Sequence, residues 1–281
     1  MQNILEEIYQ NKLVEVRNRK KKLPLQEICA RIKYQEKYLQ KEQEKAAGAE
    51  NKSYKNKNFF TALQHKNNKG EIALICEVKK ASPSHGIIRP DFDHIQIAKD
   101  YEKGGAACIS VVTDEKYFMG KSQYLQEISA VSSLPLLCKD FMTDIYQIYE
   151  AKMLGAACIL LIVAMLDDNK LQELEQCALE AGLSVLIEVH NEAELQRASR
   201  LKSKLLGINN RDLKTLQVDL QTSLLLAEQI SDDYVLISES GIKDALDIDL
   251  LRQAGINCFL IGEHFMAQKN IVKALKDIFD K

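Results

Sequence analysis

The sequence predicts an α/β fold of the (β/α)8, or TIM-barrel, type, preceded by an N-terminal helical extension. Three observations carry that prediction. From residue 72 onward, eight apolar runs of strand length recur, each followed by a helix-patterned segment, as in Leu171–Ala181 and Ile242–Ala254. Strands alternating with helices imply βαβ units and a parallel sheet. Gly104, Gly155, Gly182 and Gly255 each stand just before the next run, where a helix C-cap glycine belongs. Finally, no G-x-G-x-x-G follows the first run, as a dinucleotide-binding open sheet would carry. Eight units at a spacing of roughly 20 to 35 residues suit a closed barrel, and 281 residues accommodate one. The division expected is 1–66 for a helical extension packed on the barrel and 67–281 for the barrel itself.

In chain order, residues 3–22 read as an amphipathic helix, with Ile4, Leu5, Ile8, Leu13 and Val16 roughly at helical spacing. It closes on a basic run, Arg17, Arg19, Lys20, Lys21 and Lys22, and then Pro24. Cations favour the negative end of a helix dipole, and proline stops the helix, so the run is read as a helix end and not as a nucleic-acid patch. A second helix starts near Pro24, with Leu25, Ile28 and Ile32 on one face. Residues 41–58 are polar and read as a linker or frayed helix. Phe59, Phe60 and Leu63 open a short helix suited to capping the core. The eight runs are Ile72–Lys79, Ala107–Thr113, Pro135–Asp140, Ala157–Val163, Ser184–His190, Leu205–Asn210, Tyr234–Glu239 and Asn257–Gly262.

Composition excludes several classes. The net charge of −2 argues against nucleic acid or an anionic membrane surface as partner. No apolar run approaches the length of a membrane span, and the polar N-terminus is unlike a signal peptide. Seven cysteines, an odd number without a C-x-x-C pair, indicate a reducing, cytoplasmic setting with neither a disulfide frame nor a zinc site. Cys76, Cys108, Cys158 and Cys258 lie within apolar runs, where a thiol acts as a small hydrophobe. The histidines at 65, 85, 94, 190 and 264 form no H-E-x-x-H, so no metal site is expected.

The polar residues of the runs sit at their C-terminal ends, which is where such barrels hold their active sites. Period two places Ala73, Ile75, Glu77 and Lys79 on one face of the first strand, and Ile72, Leu74, Cys76 and Val78 on the other. The second run ends in Thr113, the third in Lys139, the fifth in Glu188, the sixth in Asn209, Asn210 and Arg211, and the seventh in Glu239 and Ser240. Lysines and carboxylates held together shift one another's pKa values and serve as acid and base near neutrality. A lysine in an apolar strand also suits a Schiff base, and the residues alone leave both chemistries open. Ser240-Gly241 and Ile261-Gly262-Glu263 follow the last two strands, where barrels bind phosphate through backbone N–H groups. Ser82 and Ser84 in the first loop offer hydroxyls to the same group.

The segments EVKKASPS, RPDFD, VVTDEKYFMG, LCKDF, LLIVAML, LIEVHNEAEL, GINNRDL, ISESGI and FLIGEHFM, in this order, resemble indole-3-glycerol phosphate synthase of tryptophan biosynthesis in its monofunctional form. The N-terminal arm LEEIYQNKLVEVRNRKKKLP resembles the helices that precede the barrel in that family. The resemblance implies a carboxy-lyase. Its substrate would be 1-(2-carboxyphenylamino)-1-deoxyribulose 5-phosphate, closed to indole-3-glycerol phosphate with loss of carbon dioxide and water, in a monomer that uses no cofactor. It implies Lys139 as the general acid of ring closure and Glu188 as the second acid/base residue. Glu77 and Lys79 would be a first-strand pair, with Lys79 toward the substrate carboxylate, and the dehydration step stays undivided among Glu77, Lys79 and Glu188. Asn209 would orient substrate, Arg211 would meet a carboxylate, and Glu239 would be a polar residue of the mouth. Ser82, Ser240, Gly241, Gly262 and Glu263 match phosphate positions, and Phe118, Phe141 and Leu160 match apolar walls for the aromatic ring. Two features depart from the family pattern. His85 stands in the first loop where the family commonly has lysine, and Glu263 puts a carboxylate beside the phosphate loop, from which its side chain can point away if backbone N–H groups hold the phosphate. The alternatives are a neighbouring barrel enzyme, such as phosphoribosylanthranilate isomerase or the tryptophan synthase α subunit, and a non-catalytic barrel that binds a phosphorylated ligand.

Overall fold

The computed structural model describes residues 4–46, 58–213 and 215–279. Eight parallel strands close into a barrel: β1 (Ala73–Val78), β4 (Cys108–Val112), β5 (Leu136–Lys139), β6 (Cys158–Ile162), β7 (Ser184–Val189), β8 (Leu205–Asn209), β9 (Val235–Glu239) and β10 (Cys258–Ile261). Two short strands, β2 (Ala81–Ser82) and β3 (Gly86–Ile87), form an antiparallel hairpin in the loop after β1. Closure is made by β1, which pairs in parallel with both β10 and β4. Each strand lies inside its apolar run, trimmed at the ends where the chain turns.

Helices follow the strands: α4 (His94–Gly104), the pair α5 (Glu115–Phe118) and α6 (Ser122–Val131), α7 (Ile145–Met153), α8 (Asp168–Glu180), α9 (Glu192–Ala198), α10 (Gln221–Ala227), α11 (Ala245–Gln253), and the pair α12 (Glu263–Met266) and α13 (Ile271–Phe279). Their starts are written into the sequence. Asp93, Asp114, Asp144, Asp167, Asn191 and Asp244 each accept a backbone N–H from the first turn of the helix they precede. At the other end, Gly155, Gly182 and Gly255 take φ of 92°, 77° and 80°, the left-handed turn that releases the chain toward the next strand. Gly104 does not. It is the last residue of α4, and Gly105 takes the left-handed turn. Gly104 is small for another reason: a Cβ there would meet Leu275 Cδ1 of α13 at 2.9 Å.

The two faces of β1 divide as period two requires. Leu74, Cys76 and Val78 enter the layer between strands and helices, whereas Ala73 and Ile75 enter the barrel interior with Leu137, Leu186 and Ile237. All seven cysteines are free thiols.

The extension comprises α1 (Ile4–Lys22), α2 (Leu25–Ala46) and α3 (Phe59–Asn67). Phe59 and Leu63 of α3 are fully buried among the interior side chains and close the N-terminal end of the barrel. Val16, Ile28 and Ile32 pack on Tyr146 of α7. The polar segment expected to begin a linker at residue 41 continues α2 to Ala46, because Lys, Glu, Gln and Ala favour helix even without an apolar face. The rest of that expected linker, 47–57, lies outside the described residues. Two members of the basic run dock α1 on the barrel: Arg19 meets Glu150 at 2.9 Å, and Lys20 meets Asp144 at 2.7 Å. Among the described residues, no helix is long and apolar enough to cross a membrane.

Candidate active site

The inward side chains change character along the barrel axis. Below, they are mostly apolar. At the C-terminal end they become Glu77 and Lys79 from β1 and its loop, Lys139 from β5, Glu188 from β7, Asn209 from β8 and Glu239 from β9. All of these line one open cavity of about 1420 Å³. Lys79 Nζ lies 2.7 Å from Glu77 Oε1. Lys139 Nζ lies 3.4 Å from Glu188 Oε2 and 3.6 Å from Glu239 Oε2. Asn209 Nδ2 donates to Glu188 Oε1 at 3.2 Å.

Burial and charge pull in opposite directions here. Burial alone favours neutral Lys139, but Glu188, Glu239 and Glu77 overrule it and hold the ammonium well above the ordinary lysine value. Burial likewise favours protonated Glu188 and Glu77. Lys139, His190 and Asn209 pull Glu188 far below the carboxylate range, and Lys79 with Lys139 pulls Glu77 down. Glu239 goes the other way. Burial and the Glu188 carboxylate push it up to about 8, against the pull of Lys139. Its Oε1 has no hydrogen-bond partner among the described residues. That oxygen sits directly over Gly207 of β8, in space a side chain there would occupy.

Beside Lys139, on the side of β4, β5 and β6, the wall carries apolar residues. Phe118 and Phe141 stand with ring centroids 6.1 Å apart, and Leu160 with Ile162 completes the wall. On the other rim, Ser240 and Gly241 adopt successive left-handed conformations, φ 64° and 86°. Asn210 fixes that turn from behind. Its Nδ2 reaches Ser238 Oγ, Glu239 O and Ser240 O at 2.9, 2.9 and 3.1 Å, while its Oδ1 accepts from Ser223 N and Oγ. Gly262 is small because Glu77 Oε1 would lie 2.6 Å from a Cβ there.

The family model for indole-3-glycerol phosphate synthase matches residues 5–278. The chain belongs to this family. The indole-3-glycerol phosphate synthases of Polynucleobacter necessarius subsp. necessarius and Polynucleobacter asymbioticus are each 46% identical to it over 279 residues, 99% of this chain and 100% of theirs. It is therefore a carboxy-lyase of tryptophan biosynthesis. Among solved structures, a 3-hexulose-6-phosphate synthase (TM-score 0.60, 12% identity, 74% of this chain and 98% of that one) shares the fold. So does a thiamine phosphate pyrophosphorylase from Pyrococcus furiosus (TM-score 0.56, 13% identity, 76% and 96%). At such identities the likeness concerns the barrel alone.

Every residue singled out in the sequence for this synthase's site lines the cavity, including Ser82, Arg211 and Glu263. The expectation for Thr113 fails at the rim. Thr113 does not face the mouth. Val112 takes the inward position, in register with Lys139, and Thr113 turns outward to donate to Asp140 Oδ2 at 2.7 Å. The Glu263 carboxylate meets His85 Nε2 at 2.9 Å and Arg211 Nη2 at 3.7 Å, joining the first loop to the last.

Other participants escaped the sequence reading. Ile4, Leu5 and Ile8 of α1 form part of the cavity wall. Lys12 is completely buried and meets Asp114 and Asp140, each at 2.8 Å, at the ends of neighbouring strands. Burial disfavours its charge, but the two aspartates more than restore it. The signal was present: Leu5, Ile8, Lys12 and Val16 are the buried stripe of α1, so one lysine occupies a core position. Leu13, counted as core, is only half-buried.

Proposed function

We propose that the mouth converts 1-(2-carboxyphenylamino)-1-deoxyribulose 5-phosphate to indole-3-glycerol phosphate, with the residues above in the following roles. The observation that carries the assignment is the Lys139 ammonium set between Glu188 and Glu239, at 3.4 and 3.6 Å, two carboxyl groups of opposite protonation preference. Ring closure joins an aromatic carbon to the substrate carbonyl carbon, and negative charge develops on the carbonyl oxygen. The Lys139 ammonium donates a proton there. Lys79 meets the carboxylate that leaves as carbon dioxide. Its partner Glu77 prevents the ammonium from holding that group too tightly, since ground-state binding does not speed the step. Loss of carbon dioxide restores the benzene ring; Glu188, kept ionised, then takes a proton from the carbon beside the ring nitrogen, while the Lys79 ammonium, freed of the departed carboxylate, gives a proton to the hydroxyl, which leaves as water. Asn209 orients Glu188, and Arg211 supplies a second cation for the substrate.

The apolar wall of Phe118, Phe141 and Leu160 receives the aromatic ring, and the opposite rim receives the phosphate. The left-handed Ser240–Gly241 turn, Gly262 and Ser82 provide backbone and hydroxyl donors there. The enzyme acts as a cytoplasmic monomer, with residues 1–66 serving as an extension of a single catalytic barrel. The test is direct. Purified protein mixed with the substrate in the presence of a metal chelator should generate indole fluorescence, because only the product contains the indole ring. Saturable binding without a fluorescence rise would point instead to a non-catalytic phosphate-binding barrel.

A further inference from the structure

One buried ionisable group beside the site has no part in these steps. His190 follows the last residue of β7, its side chain is 8% exposed, and it is not among the residues lining the cavity. Its ring is gripped from behind. Glu194 Oε2 of α9 accepts both the His190 backbone N–H and the Nδ1–H, each at 2.9 Å. Glu194 is itself fixed, because Asn191 Nδ2 donates to its Oε1 at 2.7 Å and its own backbone N–H returns to Asn191 Oδ1 at 3.0 Å. With Nδ1 committed, Nε2 faces forward, 3.3 Å from Glu188 Oε1, close enough for an ion pair but off the angle of a full hydrogen bond.

We propose that His190 is a positioning residue for Glu188, an imidazolium clamped by Glu194 that holds Glu188 Oε1 so that Oε2 stays turned to Lys139. The inference rests on the acid–base role given to Glu188 above. The charged groups that bear on the imidazole are Glu188 and Glu194, with Lys139 and Glu239 beyond Glu188. Burial works against its charge, yet the two adjoining carboxylates lift its pKa to about 10, so it stays protonated through neutrality. Glu188 thus carries a cation on each oxygen, Lys139 on one and His190 on the other. A carboxylate so placed stays ionised and is a directed proton acceptor.

Three proteins test this: the native enzyme, His190→Gln, which keeps a donor but loses the charge, and Glu194→Gln, which keeps the imidazole but loosens its hold on the proton. Turnover of the carboxyphenylamino-deoxyribulose phosphate is followed against pH by indole fluorescence, with KM and the melting temperature measured alongside. In His190→Gln, kcat should fall roughly 10- to 100-fold with KM little changed. The acidic limb of its profile should move up by about one pH unit or more, since Glu188 loses a neighbouring cation. In Glu194→Gln, a new loss of rate should appear toward neutral pH, where the imidazole now gives up its proton. Unchanged pH profiles in both variants would overturn the proposal, whether or not kcat or melting temperature had dropped. A native enzyme without turnover would instead overturn the reading of the site on which the proposal rests.

Discussion

The two ends of the barrel are built on the same eight strands and the same inward-facing rows, yet they are chemical opposites. Toward the N-terminal end the rows present Ala73, Leu137, Leu186 and Val235, sealed by Phe59 and Leu63. At the C-terminal end, two to four residues further along the same strands, the rows present Glu77, Lys139, Glu188 and Glu239. The closed end gains stability from burial, at about 25 cal/mol for each Å² of apolar surface removed from water. The open end takes on the cost of buried charge, which compensating partners reduce but do not abolish. Stability and chemistry are thereby separated by position along each strand, and a change at one end should leave the other's property largely intact.

Substitutions sharpen that contrast in decreasing order of effect on turnover. Glu188→Gln removes the proton acceptor while keeping shape and the Asn209 contact, so kcat should fall by about 10²- to 10⁴-fold, read by indole fluorescence. Gly207→Ala places a methyl group where Glu239 Oε1 now lies. The backbone there tolerates alanine and the carboxylate is the end of a flexible side chain, so the protein should fold and melt normally, with Glu239 displaced from Lys139. A fall in kcat of roughly ten-fold without loss of melting temperature is expected.

Glu239 should also leave a mark on the pH profile. Its pKa of about 8 means that it holds a proton at neutrality and releases it in mild base. The new carboxylate beside Lys139 binds the ammonium proton more tightly and makes it a poorer acid. The rate should therefore decline above about pH 8, and Glu239→Gln should remove that inflection. The stability sign agrees. A carboxyl that folding raises contributes stability that is fully present below its unfolded pKa and lost as pH rises through 8. Glu188 and Glu77, depressed by folding, contribute in the opposite sense, and their share is lost only in acid.

At the closed end, Phe59→Ala should cost about 3–5 kcal/mol in chemical denaturation. Turnover per folded molecule should be unchanged. A large loss of kcat in that variant would break the division between the two ends.

The barrel was legible in the sequence because its eight strands are buried on both faces and so read as continuous apolar runs. The charges at the mouth were legible because each interrupts such a run at its C-terminal end. What escaped was tertiary in origin. Period two distinguishes Thr113 from Val112 only once the register of β4 against β5 is known. Asn210 counts among the polar residues at the end of the sixth run, yet it faces away from Asn209 and braces the turn at Ser240. Gly207 gives no signal in the sequence, since only the folded barrel shows that the Glu239 carboxylate needs its space. Lys12 was masked by its charge, although its place in the buried stripe of α1 was visible.

The most direct test of the account is Lys139→Ala, measured for turnover and for binding of a substrate analogue whose carbonyl is reduced to the alcohol. The analogue keeps the ring, the carboxylate and the phosphate but cannot close. The account predicts turnover lower by about 10³-fold or more, with analogue affinity nearly intact, because Lys139 acts on the carbonyl oxygen while other groups hold the rest of the molecule. Turnover near the native rate in that variant would contradict it.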